Sequence, residues 1–499
     1  MKKLERSLGL TAIVAISVST MLAPGVFVLP GLVVAKTGST AWLAYLLAAI
    51  CVLPGGLSKA ELGTAMPTSG GAYVFMERSF GPLVGTVAGL GLWSSLLLKS
   101  AFALVGFSAY LTVMVELPSD SAGSWVLKLI ALVLLVVVVG INLLGGRAVS
   151  RVQTFVVFAA LVFLFLLIGW GAPEVQLDYF RDPLPQGVDG MIGATGFVFV
   201  AYAGVTKIAA VAEEVKDPGR NIPRGILLSL LTISTIYAVI VFVLIGNLSV
   251  SGLAPENGAV DLRPIYSLAS KLGGEGLGVL AAVIGVVTMT SMANAGLLAA
   301  SRFPFAMSRD RLLPGFLHAL HPRLLTPIPA ILATGVAMGA AIIFLDVEKI
   351  AKLASAFKIL IFCGVNIAVI VLRESGVNWY KPKFKSPMYP WIQIFGVISG
   401  LLFLSFMGKM VIGAALGVIV PGAILYYAYA KNNSDRKGVV GIVRRRQDLL
   451  AAGALSPDSP EPVSLQDAAA VTVLFGNERS PETLAEVGAA LADGRKLEV

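Results

Sequence analysis

Two short stretches carry the residue types that a binding site buried in a membrane needs. Residues 23–26 read Ala-Pro-Gly-Val within STMLAPGVFVLPG, and residues 202–205 read Tyr-Ala-Gly-Val within GATGFVFVAYAGVTKIAAVAEE. Each interrupts an apolar run near its middle. An interrupted helix frees backbone N–H and C=O groups that are costly to leave dry in hydrocarbon. A half-helix N-terminus offers N–H donors with positive dipole character, suited to a carboxylate. Freed carbonyls suit an ammonium group or Na⁺. Pro24 by itself would only kink a packed helix. Two breaks at matching positions point instead to a site. It would use the backbone of Ala23, Pro24, Gly25 and Val26 and of Tyr202, Ala203, Gly204 and Val205. Val26, Phe27, Phe199, Tyr202 and Val205 would flank the ligand with their side chains.

Ionisable residues inside apolar runs are the next candidates. Lys99 lies near the middle of GLWSSLLLKSAFALVGF, Lys358 partway down a later run, and Lys207 three residues past the second break. A buried lysine can bond carbonyls at a helix break and titrate there, or it can snorkel to an interface. Lys99 and Lys358 are therefore candidates for ion coupling. Thr288, Ser291 and Asn294 form a polar stripe at i, i+3, i+6, which either lines a cavity or sodium site or bonds neighbouring helices. His318 and His321 fall in a basic loop. No phosphate-cradling loop and no metal-ligand cluster is evident, so enzyme chemistry, a cofactor and a metal are not expected. Cys51 and Cys363 both lie in apolar runs and read as packing residues.

The elements that hold these residues follow from composition. Of the 499 residues 57% are hydrophobic and only 13% charged, and the mean hydropathy is +0.85. Soluble domains carry roughly 25% charged residues. Runs long enough to cross a bilayer recur at about 8–35, 41–65, 83–115, 125–145, 151–171, 189–212, 225–248, 276–301, 328–345, 350–372, 390–408 and 411–430. The pattern predicts an all-α polytopic membrane protein of about twelve transmembrane helices. With the N-terminus inside, inner loops hold about 17 Lys and Arg against about 8 outside, which places both termini in the cytoplasm. The formal charge of +9 then reflects loops facing anionic lipid, with no nucleic-acid partner implied.

The second break comes five spans after the first, so spans 1–5 (about 8–171) and 6–10 (about 189–372) form two halves, with two further helices over 390–430. An odd number of spans per half gives the halves opposite topology. A site between such halves that offers both donors and acceptors suits a zwitterionic amino acid.

Four segments in order carry a resemblance: STMLAPGVFVLPG, ELGTAMPTSGGAYVFMERSFGP, AYAGVTKIAAVAEEVKDPGRNIPRGI and AASRFPFAMSRDRLLP. Over residues 5 to about 430 the chain resembles the amino acid–polyamine–organocation superfamily of permeases. The resemblance implies a leucine-transporter-like five-plus-five inverted repeat with two added helices, and secondary transport of amino acids or related amines. Three positions depart from the family pattern. Ala23-Pro24-Gly25 stands where Gly-Ser-Gly is usual, Val200 where some members carry an aromatic gate, and Ala160 where some carry a lysine replacing a sodium ion.

Residues 431–499 are more polar and form a cytoplasmic tail. AVTVLFGN reads as a strand, and SPETLAEVGAALADGRKLEV as a helix with Ser480 as N-cap. This segment resembles the opening unit of a universal stress protein domain, cut short or docked elsewhere. Together these features predict a permease of the plasma (inner) membrane that moves an amino acid by alternating access, coupled to protons or sodium, as symporter or antiporter. The alternatives are a transporter of polyamine or organic amine, and a permease-like sensor signalling through its tail. Glu77, Arg78, Glu213, Glu214, Arg220 and Arg224 could form an inner gate of ion pairs.

Overall fold

The computed structural model describes residues 8–66, 72–115, 125–144, 149–180, 184, 187–206, 215–255, 260–321, 326–377, 379–433, 438–440, 470–472 and 496–498. Ten helical segments among them are long and apolar enough to cross a membrane, and the helices Ile328–Phe344 and Trp391–Phe406 are shorter and also apolar. All twelve coincide with the predicted spans. Their backbones are paired within each helix, the only open solution where no water is available. Proline sits in the first turn of several, at Pro82, Pro218 and Pro264, where its missing N–H costs nothing.

Contacts divide the chain into two compact units, Met1–Ile442 and Val443–Val499. The first holds the spans. Its inner faces are apolar, while Leu129, Val133, Val136, Phe158 and Leu166 are exposed on its outside, as a surface meeting lipid requires. In the second unit, β1 (Ala470–Thr472) pairs in parallel with β2 (Lys496–Glu498). The strand expected at AVTVLFGN is present over its first three residues. The helix expected over 480–499 does not reach the end, because Lys496–Glu498 forms the second strand. Parallel pairing needs a crossover connection; Ser480 lies outside the described residues.

Both interrupted spans are interrupted, but not where the sequence places the breaks. The first runs unbroken from Leu10 to Phe27 with Pro24 inside it. It breaks at Val28 (φ −123°, ψ −44°) and resumes as Leu29–Thr37. Pro30 is the proline at the start of a helix, and Pro24 is tolerated inside one because another group serves the carbonyl it abandons. The α-helix of the sixth span is Gly187–Val198. It turns at Phe199-Val200 and continues as a 3₁₀ segment, Ala201–Thr206, so this break begins before Tyr202. The eighth span extends over Pro264–Arg309 with a kink at Gly273-Gly274, where Gly274 has φ +74°.

Candidate functional site

Pro24 cannot donate to the carbonyl of Thr20, four residues earlier. Lys99 Nζ, from the third span, donates to that oxygen at 3.0 Å. Further along the same helix the last turn leaves carbonyls without intrahelical donors. Tyr45 Oη donates to Gly25 O at 3.0 Å and Tyr110 Oη to Phe27 O at 2.7 Å. Tyr237 Oη donates to Met21 O at 2.6 Å. Four side chains from the second, third and seventh spans thus supply the first span's carbonyls around its irregular stretch. Leaving one such group buried and unpaired costs about 1–3 kcal/mol.

One hydroxyl spans the start of the sixth-span break. Ser355 Oγ, on the tenth span, donates to Phe197 O at 2.6 Å and accepts from the N–H of Val200 at 3.0 Å. It bridges the last helical residues to the first irregular ones.

The last turns of the first-span helix touch the sixth-span break. A Cβ on Gly25 would lie 3.0 Å from Ala201 Cβ and 2.4 Å from Tyr237 Oη. A Cβ on Gly204 would lie 2.3 Å from Thr20 Oγ1. Thr20 Oγ1, which donates to Ser17 O, is also 3.3 Å from Gly204 O. Both glycines are therefore required by close approach of the first and sixth spans. Ala23, Pro24, Gly25, Val26 and Phe27 are buried here, as are Phe199, Val200, Tyr202, Ala203, Gly204 and Val205. An aromatic cluster surrounds them, with Tyr237 edge-on to Tyr45 at 5.2 Å and to Tyr202 at 5.4 Å. Ala160, where some members of the resembling family carry lysine, is fully buried.

Lysines lie deep in this unit. Lys99 and Lys358 are 2% and 4% exposed, and Lys59 on the second span, not singled out in the sequence, is 3% exposed. Its signal was present: a charge six residues inside the end of a predicted span. Lys207 lies outside the described residues. In the polar stripe, Thr288 donates back to Ile284 O of its own helix, Ser291 is half-buried, and Asn294 accepts from Asn142 of the fourth span at 2.5 Å.

Two further groups of charge sit toward opposite ends of the bundle. At one end Glu61, fully buried, takes a fork from Arg373 (Nε to Oε1 2.7 Å, Nη2 to Oε2 2.6 Å). Tyr380 Oη, Ser386 N and Ser386 Oγ donate to the same carboxylate. Burial and this anion push the Tyr380 phenol well above its usual range. The buried ion pair near the expected inner gate is thus Glu61–Arg373; Glu213 and Glu214 lie outside the described residues. At the other end a cavity of about 140 Å³ is lined by Lys36, Asp189, Lys352, Phe197 and Met407 among others. Lys36 of its lining pairs with Glu348 at 2.6 Å. Phe197 joins this cavity to the sixth-span break, since its carbonyl is the one Ser355 holds. Among the described residues no three His, Cys, Asp or Glu side chains converge as metal ligands.

Comparison with known proteins adds an independent line. A family model described as amino acid permease matches residues 8–427. The chain is 27% identical over 446 residues to the branched-chain amino acid permease BcaP of Bacillus subtilis (strain 168), covering 87% of this chain and 95% of that one. It is 26% identical over 449 residues to the methylthioribose transporter of the same organism, with 87% and 95% covered. To the large neutral amino acids transporter small subunit 2 of Homo sapiens it is 28% identical over 448 residues, with 85% and 80% covered.

Proposed function

Because the chain belongs to the amino acid permease family, and is an amino acid transporter, we propose that it carries a neutral amino acid across the plasma (inner) membrane by alternating access. The observation that carries this reading is the contact between the two broken spans at Gly25, Ala201, Gly204 and Thr20, buried inside the bundle. Residues 8–171 and 189–372 act as the two inverted halves, and substrate occupies the space that opens when Val26, Phe27, Phe199, Tyr202 and Val205 move apart. The cavity at Lys36 and Lys352 is the outer approach, and the Glu61–Arg373 cluster lies at the cytoplasmic end with both termini.

Neutral substrates are favoured by charge. Lys59, Lys99 and Lys358 are buried around the site, whereas its flanking side chains include no carboxylate. A cationic side chain or a polyamine would meet like charge in a poorly screened setting. Lys99 serves as the coupling element. Movement of the first span withdraws Thr20 O from its ammonium, so that the lysine's protonation is linked to opening and protons drive transport.

The test is uptake of radiolabelled L-leucine into proteoliposomes, competed by each of the twenty amino acids and by putrescine, across pH and with or without sodium. Neutral amino acids should compete, arginine and putrescine should not, and sodium removal should leave the rate unchanged. Uptake of no amino acid defeats the reading.

A further inference from the structure

Lys59 and Lys358 come from different spans and approach the same ring. Lys59 Nζ is 4.6 Å and Lys358 Nζ 5.4 Å from the centroid of Phe362. The two side chains are 3% and 4% exposed. Among the described residues Lys59 has neither a hydrogen-bond acceptor nor a carboxylate partner; its interactions are the Phe362 ring and repulsion from Lys358. The ring's quadrupole attracts an ammonium, but it does not replace the water that a buried charge gives up. Lys358 near the same ring adds a like charge.

The pair also sits beside the sixth-span break. Phe362 packs edge-on against Phe199 with centroids 5.2 Å apart. Lys358 lies one helical turn from Ser355, the residue that holds Phe197 O and Val200 N–H. Around the breaks, donors for an anion are scarce. Pro24 has no N–H, and the Val200 N–H is already taken. The scarcity of donors and the Lys59 ammonium that lacks an acceptor are thus neighbours.

We propose that Lys59 and Lys358 form a buried binding site for one small monovalent anion, filled in the loaded carrier by the carboxylate of the substrate. This rests on the reading that substrate sits at the two breaks. One anion between the ammonium groups relieves their repulsion and supplies the acceptor that Lys59 lacks. A halide ion has the same charge and a similar size, and is the other source of that chemistry.

The experiment uses the full chain in lipid nanodiscs and measures binding of L-leucine and of leucinol, which lacks the carboxylate, in chloride and in gluconate buffers. The wild type should bind leucine at least about tenfold tighter than leucinol, about 1.4 kcal/mol. Lys59→Gln and Lys358→Gln should each abolish that ratio, while Lys59→Arg, which keeps the charge, should retain it. If the variants keep the ratio but abolish a chloride requirement seen in the wild type, the site is supported with a free halide as its ligand. Variants that keep the ratio, with no chloride requirement in the wild type, overturn the proposal. Wild-type protein that binds leucine no better than leucinol and shows no chloride requirement overturns it without any variant, which guards against misfolding of the glutamine forms. Absence of leucine binding and uptake in the wild type strikes the transport reading instead; direct titration of chloride into the same nanodiscs then decides the anion site, with binding to the wild type and not to Lys59→Gln supporting it and no binding to the wild type overturning it.

Discussion

Thr20 O carries much of the chemistry at the residue scale. Proline at position 24 removes its helical donor, and Lys99 replaces it with a charged one. The two residues should therefore be coupled. Lys99→Met should lower the initial uptake rate about tenfold, since an unpaired buried carbonyl costs about 1–3 kcal/mol. In a Pro24→Ala background, where residue 24 donates to Thr20 O again, the same change should cost less than about threefold. Initial rates for the four proteins of this cycle check it; equal losses in both backgrounds would show that Lys99 and Pro24 act separately. A second prediction concerns Gly204. Its added Cβ would fall 2.3 Å from Thr20 Oγ1, so Gly204→Ala should destabilise by about 1–3 kcal/mol. Uptake should be lost out of proportion to expression, which flux normalised to protein in the membrane reads out. Both glycines are visible in the sequence as markers of irregular backbone. That they are needed for the approach of one span to another is not, because neither partner is near in the chain.

At the scale of elements, the tenth span is tied to its surroundings at three points. Ser355 holds the sixth span, the Phe362 ring takes the Lys59 ammonium of the second, and Arg373 grips Glu61, two residues further along the second. Breaking a buried ion pair from one side leaves an uncompensated charge, at a cost of about 3–5 kcal/mol. Arg373→Met should accordingly lower the thermal midpoint markedly. The double change Arg373→Met with Glu61→Gln should recover most of the loss, because no charge is then stranded. A fluorescence-based melting series of the four forms checks this, and a double variant as unstable as the single would show that packing around Tyr380 and Ser386 dominates. The positions of the breaks belong to this scale too. A pattern of proline and glycine places the first break at Ala23–Val26. The chain breaks at Val28, since a proline four residues past an acceptor is harmless once a lysine from another helix supplies the donor.

For the whole molecule, the membrane unit closes at Ile442, upstream of the two-stranded unit. Truncation after Ile442 should leave leucine uptake within about twofold of the full chain, while a sensor working through its tail would lose its output. Uptake by the truncated and full chains at matched membrane content decides between the two.

What could be read in the residues alone follows from local physics. Twelve apolar runs, the excess of Lys and Arg on alternate loops, and two glycine-containing interruptions five spans apart predict the helices and the site's neighbourhood, because a bilayer constrains each helix separately. Long-range partners are another matter. Glu61 and Arg373 are separated by 312 positions and Thr20 and Lys99 by 79, and no pattern in either neighbourhood announces the pair. Lys59 is plain in the sequence as a lysine and significant only because Phe362 and Lys358 arrive beside it. Helix formation is decided within a few turns of chain. Which carbonyl is served by which side chain, and which charge is left wanting an ion, is decided only when the spans pack.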